Sequence, residues 1–235
     1  MSGRSYRLFA YWRSSSSWRV RIGLALKALP YEYVAVDLRA GAQDAPEHVA
    51  RSPLHHVPVL EVLEGGRPAL RLVQSMAILE WLDEVHPQAP LLPQDPAGRA
   101  RARALAEHVN ASIQPYQNAA VLRWLDERAP AVRADWTRHW LSRGLAALET
   151  SIERGAGTFA LGEQPGLVEC YLVPQLYAAR RFEIDLAPFP TLLRIEAACA
   201  TRPAFAAAHP DRQPDAPPEA PPGAPSDPRP ERRPA

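Results

Sequence analysis

The sequence predicts two folded domains, an α/β domain at the N-terminus followed by an all-helical domain. Strand-like and helix-like patterns alternate as far as residue 86, whereas no strand pattern is found between residues 97 and 210. The segment between them, residues 87–96, contains four prolines and is typical of a linker. A chain of 235 residues is long enough to form two such hydrophobic cores.

The N-terminal pattern begins with a strand, a helix and a second strand. Bulky side chains at residues 6–11 suit a pleated, partly buried strand. Apolar residues then recur at helical spacing from Trp18 to Leu29, and this helix ends there because the residue before Pro30 is driven out of the α region. Residues 31–38 predict the next strand, which should lie parallel to the first.

The rest of this domain indicates a hairpin and a helix. Residues 39–52 are polar and predict a loop with one short helix, and residues 57–63 and 68–73 predict two strands around a glycine-containing turn. Ser75 is the expected N-cap of a helix that ends at His86. The order β-α-β-α-β-β-α over residues 1–86 is that of a thioredoxin-like domain.

The second domain, residues 97–210, is predicted to contain four helices. They cover about residues 98–126, 131–154, 167–182 and 190–200, with a connector at residues 158–162. The remaining residues, 211–235, are rich in proline and charge and have hardly any apolar side chain. This tail is therefore expected to be disordered.

Composition argues against several classes of protein. A net charge of +1 lacks the strongly basic balance typical of nucleic-acid binding, and no run of 18 apolar residues predicts a membrane span. Cys170 and Cys199 lie in apolar helical patterns, and no two-cysteine metal motif exists. These features indicate a cytoplasmic protein with no disulfide, no metal site, no nucleic-acid partner and no membrane partner.

The stretch from Arg13 to Arg21 lies at the junction of the first strand and the first helix, and it contains four consecutive serines. A helix N-terminus has N–H groups without intrahelical partners and about half a unit of positive charge. The junction therefore suits an anion or a thiolate. Serines that only cap the helix would produce the same pattern.

The two-domain order resembles the cytosolic glutathione transferases, and the motifs resemble their zeta class, the maleylacetoacetate isomerase family. Residues 14–21 match the family signature Ser-Ser-Cys-Ser-Trp-Arg-Val-Arg, with Ser16 in place of the cysteine. Where the family caps a helix with a Ser/Thr-x-x-Asp box, this chain has Gly166, which predicts a weaker cap on the same helix. The other matching motifs are Val57-Pro58, Gln74-Ser75, and residues 91–96, 113–115, 172–175 and 209–215.

The resemblance implies glutathione as the cofactor. The backbone of Val57, beside a cis proline, would pair with the cysteinyl part of glutathione, and the helix N-terminus at Ser75 would bind the γ-glutamyl carboxylate. Gln114 and Asn118 are spaced by four on one predicted helix and would close over the ligand. The implied glutathione ligands are Gln43, Val57, Pro58, Gln74, Ser75, Gln114 and Asn118.

The implied reaction is the conversion of maleylacetoacetate to fumarylacetoacetate in the catabolism of tyrosine and phenylalanine. A glutathione thiolate adds to the double bond, the resulting single bond rotates, and elimination releases the fumaryl isomer. Ser14 is expected to be the thiolate partner and Ser15 the second, with Ser16 in the place of the family cysteine. A hydroxyl hydrogen bond and the helix dipole would both favour the thiolate.

The substrate is a maleyl-type dicarboxylate, for which arginine is suited because its planar guanidinium binds carboxylate through two hydrogen bonds. Arg181, Arg13 and Arg19 are the expected substrate ligands, and the family pattern implies a homodimer. Maleylpyruvate isomerase and a zeta-class transferase acting on α-haloacids remain alternatives. A non-catalytic binding protein on the same fold is an alternative of another class.

Overall fold

The structure is a computed structural model that describes residues 4–153 and 155–218. Its N-terminal domain contains four strands in the order β2-β1-β3-β4, with β1 and β2 parallel and the other neighbours antiparallel. The topology confirms the predicted thioredoxin-like domain. The elements are β1 (Arg4–Ala10), α1 (Ser15–Leu26), β2 (Glu32–Ala35), α2 (Pro46–Val49), β3 (Val59–Glu64), β4 (Arg67–Val73) and α3 (Ser75–Val85).

The helices α1 and α3 cover one face of this sheet. Alternate residues of each strand point to that face and pack against the two helices. The two helices approach closely at Gly23, where a Cβ atom would lie 2.2 Å from Leu79 Cδ2. Their packing brings the first turns of both helices to the same end of the sheet. The buried side chains between the sheet and the helices are Tyr6, Leu8, Ala10, Val20, Leu24, Leu60, Val62, Ile78 and Leu82.

The second domain is entirely helical, as predicted, and α7 is its most buried helix. Trp18 and Ile22 of α1 belong to the same hydrophobic core as α7, so the two domains share buried surface. The short last helix was not predicted. The elements are α4 (Pro96–Ser112), α5 (Ala119–Arg128), α6 (Arg133–Glu153), α7 (Leu167–Arg181), α8 (Pro190–Ala200) and α9 (Pro203–Ala208).

The prediction of one helix over residues 98–126 is wrong. The chain leaves α4 after Ser112, forms a 3₁₀ turn at Gln114–Gln117, and only then begins α5. Pro115 causes the break, because proline has no N–H to donate and disfavours helical geometry in the residue before it. The break turns the backbone at Gln114, which is one of the predicted glutathione ligands.

The helix α7 begins as predicted, with a glycine at its N-cap. The Glu169 carboxylate accepts hydrogen bonds from the Gly166 N–H at 2.7 Å and from the Ala160 N–H at 2.8 Å. A Cβ atom at residue 166 would lie 2.4 Å from the carbonyl oxygen of Leu91 in the linker. Glycine is therefore required here by the close approach of the linker, and Glu169 supplies the capping interaction.

The prediction that the disordered tail begins at Asp211 is wrong, because the chain is still folded there. A 3₁₀ turn at Pro210–Arg212 and a buried Gln213 continue the folded chain, and Asp215 accepts hydrogen bonds from the N-terminal domain. The prediction failed because these contacts join residues about 180 to 200 positions apart, and no local pattern reports them. The rest of the predicted tail, residues 219–235, lies outside the described residues.

Candidate active site

A pocket lies at the first turns of α1 and α3. Its void, with the space at its open mouth, measures about 410 Å³, within the range of small-molecule sites. Five predicted site residues line it, namely Ser16, Val57, Pro58, Gln74 and Ser75. The wall also includes residues that the sequence did not indicate, namely Ser52, Pro53, Leu54, His56 and Val73.

The serines of the first motif form the start of α1. Ser14 is the N-cap, and its hydroxyl oxygen accepts from the Ser17 N–H at 3.2 Å. Because a hydroxyl donates once and accepts twice, Ser14 keeps its proton for another acceptor. Ser15 is the first helical residue and is half-buried, and the Ser16 hydroxyl donates to Gln114 Oε1 at 3.4 Å. This helix start combines hydroxyl donors with the partial positive charge of the helix N-terminus.

The backbone of Val57 forms part of the pocket wall, and its bond to Pro58 is cis. Val57 is buried, yet its N–H and C=O have no hydrogen-bond partner among residues 4–153 and 155–218. Buried backbone groups are almost always paired in folded proteins. This donor and acceptor pair is therefore available to an extended peptide ligand.

The N-cap of α3 is Gln74 rather than the predicted Ser75. Gln74 is exposed and has a φ of 70°, a left-handed value that costs a non-glycine residue of order 1–3 kcal/mol. Ser75 is the first helical residue, so its N–H is one of the helix N–H groups without an intrahelical partner. Both residues line the pocket, which gives the pocket an anion-binding helix N-terminus.

A buried polar network lies beneath the pocket, centred on Arg19, whose side chain is 1% exposed. One guanidinium nitrogen donates to Asn110 Oδ1 at 2.6 Å and to Ser75 Oγ at 3.3 Å, and the other donates to Gln114 Oε1 at 2.7 Å. The guanidinium also lies 4.2 Å from the ring centre of Tyr171. Arg19 therefore holds pocket residues in place from behind, and the expectation that it binds substrate directly is wrong.

The network also orients the hydroxyl of Ser75. The Tyr171 hydroxyl is fully buried, and its one hydrogen-bond partner in the described chain is Ser75 Oγ at 3.2 Å. A buried phenol uses its proton when an acceptor is in reach, so Tyr171 donates to Ser75. With Arg19 also donating, both lone pairs of Ser75 Oγ are occupied. The Ser75 proton is then left for an acceptor in the pocket.

Burial shifts the pKa values of the network without changing its charges at neutral pH. Loss of solvent lowers the pKa of the Arg19 guanidinium to about 10 and raises the pKa of the Tyr171 hydroxyl to about 12. Arg19 therefore stays cationic and Tyr171 stays protonated. A buried positive charge thus lies beneath the start of α3 and reinforces the helix N-terminus as a site for an anion.

Two predicted glutathione ligands have other contacts. Gln43 is 8% exposed, its amide nitrogen donates to Asp44 Oδ2 at 3.2 Å, and it does not line the pocket. Asn118 is the N-cap of α5, where its Oδ1 accepts from the Ala120 N–H at 2.9 Å. Since Pro115 breaks the helix, the predicted shared face of Gln114 and Asn118 does not exist. Only Gln114 joins the network described above.

Arg13 and Arg181 both lie within electrostatic range of Tyr177. Burial and the Asp211 carboxylate raise the pKa of the Tyr177 hydroxyl, and the guanidinium groups of Arg181 and Arg13 lower it in part. Arg13 also lies 5.3 Å from the ring of Trp12, and both arginines are half-buried. Arg13 immediately precedes Ser14, the N-cap of α1, whereas Arg181 is the last residue of α7.

Comparisons with known proteins agree with this geometry. Residues 4–84 match the family described as glutathione S-transferase, N-terminal domain. A maleylacetoacetate isomerase from Anaeromyxobacter dehalogenans with glutathione bound is 61% identical, with a TM-score of 0.86, over 92% of this chain and 100% of that one. A second structure of that protein, with dicarboxyethyl glutathione and citrate bound, is 60% identical, with a TM-score of 0.85, over 93% and 100%. A maleylpyruvate isomerase described as a bacterial zeta-class glutathione S-transferase is 40% identical, with a TM-score of 0.82, over 89% and 99%.

Proposed function

Because this chain belongs to the zeta-class glutathione transferase family, we propose that it is a glutathione-dependent cis–trans isomerase that converts maleylacetoacetate to fumarylacetoacetate. One observation supports the proposal above the others. The N-termini of α1 and α3 meet at a single pocket, beside the unpaired backbone groups of Val57. A peptide that has a thiol and two carboxylates needs these three kinds of group.

The residues of the pocket fit glutathione part by part. The Val57 N–H and C=O would pair with its cysteinyl backbone, and Pro58 would shape that wall. The Ser75 hydroxyl proton, the Ser75 N–H and Gln74 would bind the γ-glutamyl carboxylate, with Arg19 behind them. Gln114, which is held by Arg19, would contact the ligand from the helical domain.

When bound, glutathione would supply a thiolate that adds reversibly to the double bond of the maleyl substrate. The task of Ser14 would be to hold that sulfur as an anion at neutral pH, where a free thiol with a pKa of about 8.5 is mostly protonated. Ser14 has a free hydroxyl proton for this bond, since its oxygen caps α1. Ser15 would be the second donor, and Ser16 would face the reacting side from its contact with Gln114.

The substrate carboxylates would be bound by Arg13, which precedes the N-cap of α1, and by Arg181, the last residue of α7. Fixing both ends of a dicarboxylate is useful, because the bond between them must rotate while the molecule stays bound. The A. dehalogenans relative with bound dicarboxyethyl glutathione supports a dicarboxylate as the class of substrate. That compound has the composition expected when a thiol adds to a four-carbon unsaturated diacid.

Maleylpyruvate is the second candidate substrate, since a maleylpyruvate isomerase is 40% identical over 89% of this chain. It has the same maleyl group and would use the same serines and arginines. Family membership also supports a homodimer located in the cytoplasm. Among the described residues, no helix is long and apolar enough to cross a membrane, and no cluster of side chains is placed to hold a metal ion.

The test is retention on immobilised glutathione, followed by an ultraviolet isomerisation assay with maleylacetone and then with maleylpyruvate. We expect retention and turnover, and the ratio of kcat/KM values would identify the preferred substrate. A retained chain without turnover would indicate the non-catalytic alternative, and a chain with neither would refute the proposal.

Variants at the start of α3 test the assignment of the γ-glutamyl site. Ser75→Ala and Gln74→Ala should mainly raise the KM for glutathione, because they bind a group that does not react. Ser151→Ala is the matched control, since this exposed serine only bonds the Ala147 carbonyl within α6. A collapse of kcat with an unchanged KM would show that the assignment is wrong.

A further inference from the structure

The turn that leads into Ser14 is held by buried groups on both sides. The Ser14 N–H donates to the Tyr11 carbonyl at 3.0 Å, which closes the turn over Trp12. The Trp12 carbonyl accepts from Arg21 Nη2 at 2.8 Å, and the Trp12 N–H donates to Asp215 Oδ2 at 3.0 Å. Both polar groups of the Trp12 backbone are therefore fixed by side chains from elsewhere in the chain.

Asp215 is itself anchored. Its second oxygen accepts from the hydroxyl of Tyr33 in β2 at 2.7 Å. Two residues earlier, the Gln213 side chain donates to the His209 carbonyl at 2.8 Å and to the Ala207 carbonyl at 3.2 Å. The segment from residue 209 to 215 thus joins the end of α9 to the turn before Ser14.

We propose that Asp215 is a positioning residue for catalysis, which fixes the turn that places the Ser14 hydroxyl. This inference rests on the proposed isomerase function. A carboxylate suits the role because it accepts on both oxygens, one for the Trp12 N–H and one for Tyr33. Without it, the Trp12 N–H would have no partner, and the turn could shift. A misplacement of about 1 Å can reduce a reaction rate by about 100-fold.

Two substitutions at residue 215 compare the loss of both hydrogen bonds with the loss of the negative charge alone. In Asp215→Ala both hydrogen bonds are lost. In Asp215→Asn the amide oxygen can accept from Trp12 and the amide nitrogen can donate to the Tyr33 oxygen, so both contacts survive. Tyr33→Phe is the matched control, since it removes the anchor but leaves the Trp12 contact.

We expect Asp215→Ala to lower kcat about tenfold at neutral pH, with a change of less than twofold in the KM for glutathione. The pKa of the bound thiol, followed by thiolate absorbance, should rise, and part of the lost rate should return at higher pH. Asp215→Asn and Tyr33→Phe should stay within about threefold of the wild type. Hydrogen exchange of residues 11–14 in the ligand-free protein should be faster in Asp215→Ala alone.

A pair of truncations keeps the inference testable if Asp215→Ala fails to fold. A chain that ends at Ala216 retains the Asp215 contacts, and a chain that ends at Pro214 lacks them. The first should match the full chain, and the second should reproduce the loss of kcat. If the wild type isomerises maleylacetone but Asp215→Ala and the shorter truncation keep its kcat and thiol pKa, the positioning role is refuted. An inactive wild type would instead refute the proposed function.

Discussion

Replacing Ser14 removes two different interactions, and a pair of substitutions can separate them. Its oxygen caps α1 through the Ser17 N–H, and its proton is available to the glutathione thiolate. Ser14→Ala and Ser14→Gly both delete the hydroxyl. Glycine is nearly as good an N-cap as serine, whereas alanine costs about 1 kcal/mol of stability.

The thiolate interaction should be lost equally in both variants. A hydrogen bond to a charged group contributes about 1.5–3 kcal/mol, which corresponds to about one to two units in the pKa of the bound thiol. Because the bond stabilises the charged form, its loss raises that pKa. At a pH below both pKa values the thiolate fraction, and with it kcat, should fall about 10- to 100-fold. At a pH above the new pKa much of the rate should return.

The assay follows thiolate absorbance of the glutathione complex against pH, together with urea unfolding of each variant. We expect equal thiol pKa values in Ser14→Ala and Ser14→Gly, with only the alanine variant clearly less stable. A thiol pKa equal to that of the wild type in both variants would remove Ser14 from the mechanism and transfer the role to Ser15. A raised pKa in the alanine variant alone would show that the cap, not the hydroxyl proton, controls the thiol.

Three further predictions concern groups outside the pocket wall. Tyr171→Phe should raise the KM for glutathione about fivefold, since it removes a hydrogen bond of about 1 kcal/mol that orients the Ser75 hydroxyl. An unchanged KM in glutathione titrations would contradict this role of Tyr171. Lys27→Met should lower the free energy of unfolding, measured in urea, by about 3–5 kcal/mol. The reason is that Asp83, which lies 2.8 Å from the Lys27 ammonium, is left charged and buried. Arg138→Met, on the surface, is the control. Gly166→Ser should lower the free energy of unfolding by about 1–3 kcal/mol, although serine is the better capping residue. The reason is that the new Cβ would lie 2.4 Å from the Leu91 carbonyl oxygen. A gain in stability would refute this prediction.

The sequence was most informative where structure depends on neighbours along the chain. The strands and helices of the first domain follow local periodicity, and α8 has the predicted bounds. The break after α4 could also have been predicted locally. Pro115 lies inside the predicted helix, and the residue before a proline is a probable helix boundary. The prediction of a single helix followed the residues on both sides of Pro115 and disregarded the proline, which was the stronger signal.

The site was less predictable, because its groups are held by residues that are distant in sequence. Tyr171 and Asn110 have no motif that marks them, and they matter only because α1 places Arg19 between them. Arg19 was an expected substrate ligand because a guanidinium binds carboxylate through two hydrogen bonds, although arginine is rarely as buried as it is here. Only the packed structure shows that partners on three helices compensate its burial. Asp215 was missed for the same reason, with its partners in the first 33 residues of the chain.

The two arginines of α1, Arg19 and Arg21, have distinct structural tasks. Two residues along a helix correspond to a rotation of about 200°, so Arg19 and Arg21 leave α1 in nearly opposite directions. Arg19 holds Ser75 in the pocket wall and also binds Gln114, while Arg21 holds the turn before Ser14. Burial lowers the pKa of both to about 10, and both remain charged at neutral pH.

Arg19 and Arg21 each donate three hydrogen bonds in different directions, which the planar guanidinium allows and an ammonium on a flexible stem would not reproduce. These two arginines therefore tie both the turn before Ser14 and the start of α3 to one helix, which fixes the separation between Ser14 and Ser75.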